Sequence, residues 1–315
     1  MEYTHLGSSG LKASKIILGC MTFGSSTWEG SPWVLDEEES LQVIKAAYNH
    51  GINTYSNGRS EVIVGKALKK FNIPRSKVVI MTKIFNPVMD DDSRPAPVND
   101  GPLVNQMGLS RKHIFEALAA DTNISSDVLQ LHRLDRETTP EEIMRALHEV
   151  VQPGKTARLR GWTEFVSMQP FYNLLYREEE REMLPFCRAT GVGVIPWSPL
   201  ARGMLAKSRS SSAAAGADSE GKGSVRSQSG VKTKKWFADA NLEIVDAVEK
   251  VDRDRGISMP LVATAWVLHQ GCWPIVGLSS EKRIKETIEA LQVQLTDEEC
   301  RFLEAGYRPR DIEGM

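Results

Sequence analysis

Tyr55, Lys83 and His132 each end a short run that reads as a β-strand, namely INTY, VVIMTK and DVLQLH. A tyrosine has a pKa of about 10, and it becomes a useful acid when a neighbouring ammonium stabilises its anion. A histidine beside the pair orients a substrate carbonyl or shares the proton relay. Each residue alone is more typical of a structural or solvent-facing position. The combination predicts a proton donor for carbonyl chemistry.

These runs belong to a repeating pattern in which apolar strands are separated by amphipathic helices. Continuous apolar strands of this kind are typical of a parallel sheet covered by helices. Eight strands are predicted when a weak one at 157–160 is counted, and eight strand–helix units fit a barrel of roughly 250 residues. No GxGxxG follows the first strand, which counts against a Rossmann fold. The sequence therefore predicts an α/β fold: a single (β/α)8 TIM-barrel domain over residues 1–315, with an N-terminal β-hairpin.

Side chains at the carboxyl ends of barrel strands meet at one mouth, where such folds place their chemistry. Two stretches fit neither strand nor helix: 85–109 is rich in Pro and Asp, and 206–235 is rich in Ser, Ala, Gly and Lys. Neither buries enough apolar surface to order itself alone, so loops at the catalytic face or disordered insertions are expected, with 206–235 a flexible loop. The predicted strand ends carry Thr22, Tyr55, Lys83, His132, Gln169 and Trp197.

Composition excludes several other classes of protein. The formal net charge is -2 and the basic residues are scattered, which argues against nucleic-acid binding. No apolar run is long enough to cross a bilayer, and the first residues lack a signal-peptide pattern, so a cytosolic location is expected. No His, Cys, Asp and Glu grouping has metal-ligand spacing, so no metal is expected. The cysteines are far apart and are expected to be reduced, inert thiols: Cys20, Cys187, Cys272 and Cys300.

The sequence resembles the aldo-keto reductase family, most closely its fungal members, over nearly the whole chain. The resemblance is carried by LGCMTFG, YSNGRSEVIVGKAL, VVIMTK, VLQLHR, FVSMQPFYNLLYREEEREMLPFC, GVGVIPWSPLARGML and PIVGLSSEKRIKETIEAL. It implies hydride transfer from NADPH to a small-molecule aldehyde or ketone. By position, Tyr55 matches the family's proton-donating tyrosine, Lys83 its pKa-lowering lysine, and His132 the histidine that contacts the substrate carbonyl.

The resemblance also implies a cofactor site. Gln169 matches the glutamine that binds the nicotinamide carboxamide, Trp197 the aromatic ring that stacks on the nicotinamide, and 198–207 the loop around the pyrophosphate. Arg283 would pair with the 2'-phosphate and favour NADPH over NADH, because a guanidinium grips a phosphate through paired hydrogen bonds. Without the other segments, GLSSEKRIKE reads as an ordinary serine-capped helix start. The predicted cofactor-binding residues are Thr22, Gln169, Trp197, Ser198, Pro199, Leu200, Arg202, Gly203, Lys207, Gly277, Leu278, Ser279, Ser280, Arg283 and Glu286.

Two segments depart from the family's pattern. The family carries an Asp-Thr-Ala sequence before its tyrosine, and that aspartate holds the lysine, but here INT runs directly into YSNGRSE. The shorter connection is expected to move the Tyr55 hydroxyl relative to Lys83, and a misplacement of about 1 Å costs on the order of a hundredfold in rate. After GKTARLR the chain also passes straight to Gly161, so most of one strand and its helix is missing. One βα unit is therefore predicted to be truncated, through real degeneration or misjoined exons.

Three hypotheses follow from these matches and departures. The first is an NADPH-dependent reductase in which Tyr55 donates the proton, with a substrate drawn from secondary metabolism. The second is a catalytically impaired barrel that binds nucleotide and acts through partners, favoured by the missing aspartate and strand. The third is a chain that does not fold stably, because deleting a strand and helix removes more buried surface than a margin of about 5–15 kcal/mol tolerates. Substrate identity, reaction direction and oligomeric state stay open.

Overall fold

The computed structural model describes residues 1–26, 33–56, 60–87, 99–120, 126–151, 164–208 and 242–312. Its strands are β1 (Tyr3–His5), β2 (Lys12–Ser14), β3 (Ile17–Gly19), β4 (Thr54–Ser56), β5 (Val79–Ile84), β6 (Val128–Leu131), β7 (Ser167–Met168), β8 (Gly193–Val194) and β9 (Ile275–Val276). Its α-helices are α1 (Glu37–Asn49), α2 (Glu61–Lys70), α3 (Arg111–Ala120), α4 (Pro140–Val151), α5 (Met183–Thr190), α6 (Leu242–Arg255), α7 (Met259–His269), α8 (Glu281–Glu289) and α9 (Asp297–Glu304).

The parallel strands follow one another as the wall of a curved sheet. Five are hydrogen-bonded in the order β6-β5-β4-β3-β9, and β7 pairs with β8. A parallel bridge between Trp197 and Ile275 joins these two groups, and the Ile275 amide donates to the carbonyl of Pro196 at 2.8 Å. The predicted parallel strand–helix order is thus confirmed for seven strands. No pairing joins β7 to β6 within the described ranges, and the weak strand predicted at 157–160 lies outside them.

The predicted N-terminal hairpin is confirmed, because β1 and β2 pair antiparallel. Gly7, in the turn that follows β1, has a φ of +57°, and a Cβ there would lie 2.3 Å from the carbonyl oxygen of Val166 and 2.7 Å from the amide of Gly193. Glycine is required by both the positive φ and this close backbone approach. The hairpin therefore docks against the chain around β7 and β8 and covers that end of the sheet with Leu6, which is fully buried.

Side chains from the strands separate into an inner cluster and outer clusters, as the two-residue repeat of a strand requires. The inner cluster consists of Leu6, Ile17, Val79, Met81, Val128, Ile195 and Ile275. The outer clusters fill the space between the sheet and the helices. One packs β3, β4 and β5 against α1, α2 and α8, a second packs β5 and β6 against α3 and α4, and a third lies among α5, α6, α7 and α9.

The two stretches predicted as loops are described only in part. Residues 88–98 of the first and 209–235 of the second lie outside the described residues. The first stretch is tied at its base, because the Gly108 amide donates to the carbonyl of Phe85 at 2.9 Å. The second begins where a 3-10 helix, Ala201–Ala206, ends.

Candidate active site

The alternation along β5 determines where its lysine lies. Val79 and Met81 belong to the inner cluster, and Ile80 belongs to the outer cluster against α1 and α2. Lys83 is two residues beyond Met81 and therefore shares the inner face. The carboxyl ends of β4 to β8, with the residues directly after them, are called the mouth below.

Lys83 contacts a serine hydroxyl group on the neighbouring strand β4. Its Nζ donates to the Oγ of Ser56 at 2.7 Å, and Nε2 of Gln169 donates to the same oxygen at 3.4 Å. Burial lowers the pKa of Lys83 to about 8, while the acidic groups Cys20 and Glu61 act weakly in the opposite direction. Strands β4, β5 and β7 thus place a lysine, a serine and a glutamine together at the mouth, with a lysine that titrates near neutral pH.

Tyr55 lies on the opposite face of β4 from Ser56. Its ring is fully buried in the outer cluster, and its Cα is paired with that of Leu18 on one side and Ile80 on the other. The Tyr55 hydroxyl donates to the carbonyl of Ile52 at 3.1 Å, and burial raises its pKa well above the usual range. The structure therefore does not bring the Tyr55 hydroxyl to Lys83, which agrees with the displacement expected from the shorter connection and contradicts the proton-donating role matched to Tyr55.

The physical reason is the strand register. Thr54 and Ser56 share the inner face, so the residue between them must face the helices. A one-residue difference in the shortened segment is enough to exchange Tyr55 for Ser56 at the mouth. Ser56 was missed by motif matching, and the two-residue repeat counted from Ile52 would not have found it, because Ile52 and Tyr55 both belong to the outer cluster although they are three residues apart.

His132 directly follows β6 and continues the inner face of Val128 and Gln130. Its Nδ1 lies 3.2 Å from Nδ2 of Asn86. Since an amide nitrogen only donates, Nδ1 accepts and the ring proton is on Nε2. Burial, with added repulsion from Lys83 and Arg133, lowers the pKa of His132 to about 4, so the ring is neutral at physiological pH. Asn86 is a second site residue that the sequence alone did not indicate.

Trp197 lies at the mouth after β8, on the inner face that continues from Ile195. Its ring stacks on Phe171 with centroids 4.4 Å apart, and the Arg202 guanidinium lies 5.8 Å from the Trp197 ring centroid. Thr22 ends the 3-10 turn after β3 and is buried, with its hydroxyl donating to the carbonyl of Gly19 at 3.2 Å. Trp197 thus offers an aromatic face to the mouth, whereas the Thr22 hydroxyl is bonded within its own turn.

The segment after Trp197 folds into an unusual backbone turn. Ser198, Ala201 and Arg202 have φ values of 56°, 46° and 56°, a left-handed conformation that residues with a Cβ adopt rarely. The Asn173 side chain holds this turn by donating to the carbonyl of Ser198 at 3.1 Å. Such strained turns cluster at ligand sites. Within the predicted loop Pro199 is buried, the exposure of Leu200 and Gly203 is intermediate, and Lys207 is exposed.

The predicted adenosine end lies at the start of α8, immediately after β9. The Ser280 hydroxyl accepts from the Arg283 amide, which confirms the expected serine cap, and NH1 of Arg283 donates to the Ser279 hydroxyl at 2.9 Å. Helix N-termini bind anions, and an exposed arginine there adds to that tendency. Glu286 instead accepts from the Ser258 hydroxyl at 2.5 Å. Gly277 is exposed and Leu278 is buried beneath this surface.

The other side chains weighed in the sequence are accounted for as follows. All four cysteines are free and buried, and burial raises the pKa of the Cys20 thiol, which makes it inert. In the described part of the chain, no group of three or more His, Cys, Asp or Glu residues has an arrangement suited to a metal ion. None of the described helices is long and apolar enough to span a membrane.

Comparisons with known proteins identify the family. The model of the aldo/keto reductase family matches residues 15–307. Versiconal hemiacetal acetate reductase of Aspergillus parasiticus is 46% identical over 346 residues, covering 99% of this chain and 98% of that protein. A putative aryl-alcohol dehydrogenase of Schizosaccharomyces pombe is 44% identical, covering 99% and 97%, and an aldo-keto reductase of Alternaria alternata is 42% identical, covering 99% and 93%. The chain belongs to the aldo/keto reductase family, which implies a (β/α)8 barrel and an oxidoreductase that acts on carbonyl groups of small molecules.

The length of these matches bears on the truncation. The alignment with the Aspergillus protein spans 346 residues, whereas this chain has 315. The relative therefore contains segments that have no counterpart here.

Proposed function

We propose that this chain is an NADPH-dependent reductase that converts an aldehyde or ketone to an alcohol. The observation that carries the proposal is that Nζ of Lys83 and Nε2 of Gln169 both donate hydrogen bonds to the hydroxyl oxygen of Ser56 at the mouth. His132 after β6 and Trp197 after β8 continue the same inner face. A lysine that titrates near neutral pH, a neutral histidine and an amide are suited to binding and protonating a carbonyl oxygen.

The described residues fit a nicotinamide dinucleotide phosphate. Gln169 and the Trp197 ring would hold the nicotinamide, the left-handed turn at 198–203 the pyrophosphate, and Ser279 with Arg283 the 2'-phosphate. The donor chemistry supports this, because hydroxyl, guanidinium and helix N-terminal amide groups all favour phosphate. When bound, the cofactor supplies the hydride.

The residues of the mouth have separate roles in binding and protonating the substrate. The Nε2 proton of His132 is a donor for the substrate carbonyl oxygen, which orients and polarises the substrate. The Lys83 ammonium is the proton donor to that oxygen as it gains charge. The sequence assigned the proton donor to Tyr55, but the hydrogen bond from Tyr55 to Ile52 supports Lys83 in this role. Tyr55 would act only if β4 moved by one residue relative to β5.

The relatives suggest the substrate class. Two of them are named for a hemiacetal acetate and for aryl alcohols. We propose an aromatic or polyketide-like carbonyl compound of fungal secondary metabolism as the substrate, and the cytosol as the compartment.

Titration of the purified chain with NADPH and with NADH, monitored by Trp fluorescence, tests cofactor binding. We expect saturable binding with a preference for NADPH, because Arg283 pairs with the additional phosphate. Arg283→Ala is expected to weaken NADPH binding by about ten- to a hundredfold, the contribution of a charged hydrogen bond, and to leave NADH binding nearly unchanged. Lys285→Ala on the same helix is the matched control, since Lys285 pairs with Glu281. Equal affinity for the two nucleotides would contradict the NADPH assignment.

A second candidate function is a nucleotide-binding barrel that is catalytically impaired and acts through a partner. The orientation of Tyr55 away from the mouth favours this candidate. Oxidation of NADPH in the presence of an aryl aldehyde separates the two. Turnover that Lys83→Met abolishes supports the reductase, and tight NADPH binding without turnover supports the impaired barrel.

A further inference from the structure

Lys83 is a partly buried primary amine in a position open to chemistry other than proton donation. It is placed on the inner face of β5, in contact with the Ser56 hydroxyl at 2.7 Å. Burial lowers its pKa to about 8, whereas an exposed lysine has a pKa of about 10.4. At pH 8 the neutral fraction of Lys83 is therefore on the order of a hundredfold larger than that of an exposed lysine.

The Ser56 hydroxyl suits both protonation states of this amine. A hydroxyl accepts from an ammonium and donates to a neutral amine, whereas a carboxylate stabilises only the ammonium. Ser56 is 3% exposed, and its oxygen also accepts from Gln169. The contact thus holds the amine in place without requiring it to stay charged.

Two further polar groups share the inner face next to Lys83. Gln130 is paired with Lys83 across β5 and β6, is 9% exposed, and has a side-chain oxygen with no hydrogen-bond partner among the described residues. An unpaired buried oxygen is costly, and a bound ligand or water that donates to it would remove that cost. His132 supplies a neutral ring with a proton on Nε2. An acceptor and a proton donor therefore stand beside the amine.

We infer that Lys83 condenses with aldehydes to form an imine at the mouth, in a reaction that requires no nicotinamide cofactor. This activity goes beyond the proposed reduction and uses the same carbonyl-binding mouth. Nucleophilic lysines in other proteins are activated by burial, which lowers the pKa of the amine.

The reaction is balanced without an oxidant or reductant. The nitrogen lone pair forms a bond to the carbonyl carbon, and the carbonyl π electrons move to oxygen, which accepts a hydrogen bond from Nε2 of His132. One nitrogen proton then passes through the Ser56 hydroxyl to that oxygen, and a carbinolamine results. The second nitrogen proton passes by the same relay to the hydroxyl group, the C–O bond breaks, and the nitrogen lone pair closes the double bond as water leaves. One aldehyde is consumed and one water is released.

Among the described residues, the titratable groups that interact electrostatically with Lys83 come from three elements: Cys20 after β3, Glu61 at the start of α2 and His132 after β6. Burial keeps the Cys20 thiol protonated, and His132 is neutral above about pH 4. Glu61 accepts a hydrogen bond from the Thr82 hydroxyl on the outer face. Because the pKa of Lys83 is lowered to about 8, imine formation is expected to increase through about pH 8.

The test is reductive trapping on the whole chain without nucleotide. The chain is incubated with benzaldehyde and sodium cyanoborohydride at pH 7, 8 and 9, and benzylation is located by intact mass and peptide mapping. We expect one benzyl group on Lys83 at pH 8, with labelling more than about tenfold above that of the average exposed lysine. Labelling spread evenly over the exposed lysines, with Lys83 at or below their level, would overturn the inference.

Variants make the test independent of folding. Lys83→Arg is expected to remove the specific label, and Lys77→Arg, which changes an exposed lysine before the same strand, is expected to retain it. Ser56→Asp keeps Lys83 but holds it as an ammonium, so labelling at pH 8 is expected to fall by about tenfold or more. Unchanged labelling in Ser56→Asp would contradict the role given to the hydroxyl, and circular dichroism verifies that each variant is folded.

Different measurements test the proposed reductase activity and imine formation, so either can be contradicted without the other. Oxidation of NADPH by the same aldehyde measures reduction, and trapping without nucleotide measures imine formation. A chain that labels Lys83 without oxidising NADPH contradicts only the proposed function. A chain that oxidises NADPH without labelling Lys83 contradicts only the imine.

Discussion

Strands β4 and β5 lie side by side, and motif matching assigned one mouth residue to each. Only on β5 does the assigned residue lie at the mouth. Lys83 continues the inner face of Val79 and Met81. On β4 the assigned residue, Tyr55, packs against the helices, and the next residue, Ser56, contacts Lys83 instead. Both strands carry family-like segments, so the quality of the match does not distinguish them.

The difference lies in the chain that precedes each match. The segment before Lys83 is an uninterrupted strand, so its register and its motif agree. The segment before Tyr55 is the one predicted to be shorter than the family's pattern, and a strand that must stay paired on both sides absorbs such a loss by changing which residue faces inward. Motif matching considers only the order of residues along the chain, whereas the pleat of the strand determines on which face of the sheet each side chain lies.

The largest expected effect concerns the proton donor. Lys83→Met is expected to lower kcat/KM for aryl aldehyde reduction by about 10²–10⁴-fold, the contribution of a positioned acid. Tyr55→Phe is expected to change kcat/KM by less than about threefold, because its hydroxyl contacts Ile52 and not the mouth. Steady-state assays of the two variants compare the strands directly. Loss of activity in Tyr55→Phe with folding and NADPH binding intact would restore the tyrosine as the acid.

The next largest effect concerns stability. Tyr55→Ala removes a fully buried ring from the outer cluster and is expected to cost about 3–5 kcal/mol in the free energy of unfolding. Denaturant titration measures this change. If the ring instead faced the mouth, its removal would leave a smaller cavity in the core. A loss below about 1 kcal/mol in the free energy of unfolding would therefore contradict the buried placement of Tyr55.

A third effect concerns pH. If the Lys83 ammonium is the acid, reduction is retained below pH 8 and lost as the pH rises through its pKa of about 8. Ser56→Asp stabilises the ammonium and is expected to move this falling limb upward by about one to three pH units. The pH dependence of kcat/KM measures the limb, and Ser56→Asn, which adds bulk without charge, is expected to leave it in place. Equal limbs in the aspartate and asparagine variants would show that Ser56 does not control Lys83.

The smallest effect is that of the tyrosine hydroxyl alone on stability. Tyr55→Phe is expected to lower the free energy of unfolding by about 0.5–1.5 kcal/mol, the net value of one buried hydrogen bond. Thermal or denaturant unfolding resolves this change. A stability equal to that of the parent chain would mean that the bond to Ile52 contributes nothing, and would weaken the reason for holding Tyr55 in its present position.

Much of the fold was predictable because local patterns dictate it. The hairpin follows from two short strands around Gly7, and the parallel order follows from apolar strands that alternate with amphipathic helices. The serine cap at Ser280 was also readable from residue type. Closure of the barrel between β6 and β7 stays a prediction, since the predicted strand at 157–160 lies outside the described residues and no pairing joins β6 to β7 within them.

The sequence by itself determined the family, the alternation of strands and helices, and the presence of Lys83, His132, Gln169 and Trp197 at strand ends. These properties depend on residue types and spacings that are local in the chain. Only the tertiary structure decided that Ser56 meets Lys83 while Tyr55 faces the helices, because a strand's inner face is set by its register with both neighbours. The lowered pKa of Lys83 arises in the same way, since burial is a property of the assembled mouth and not of the motif.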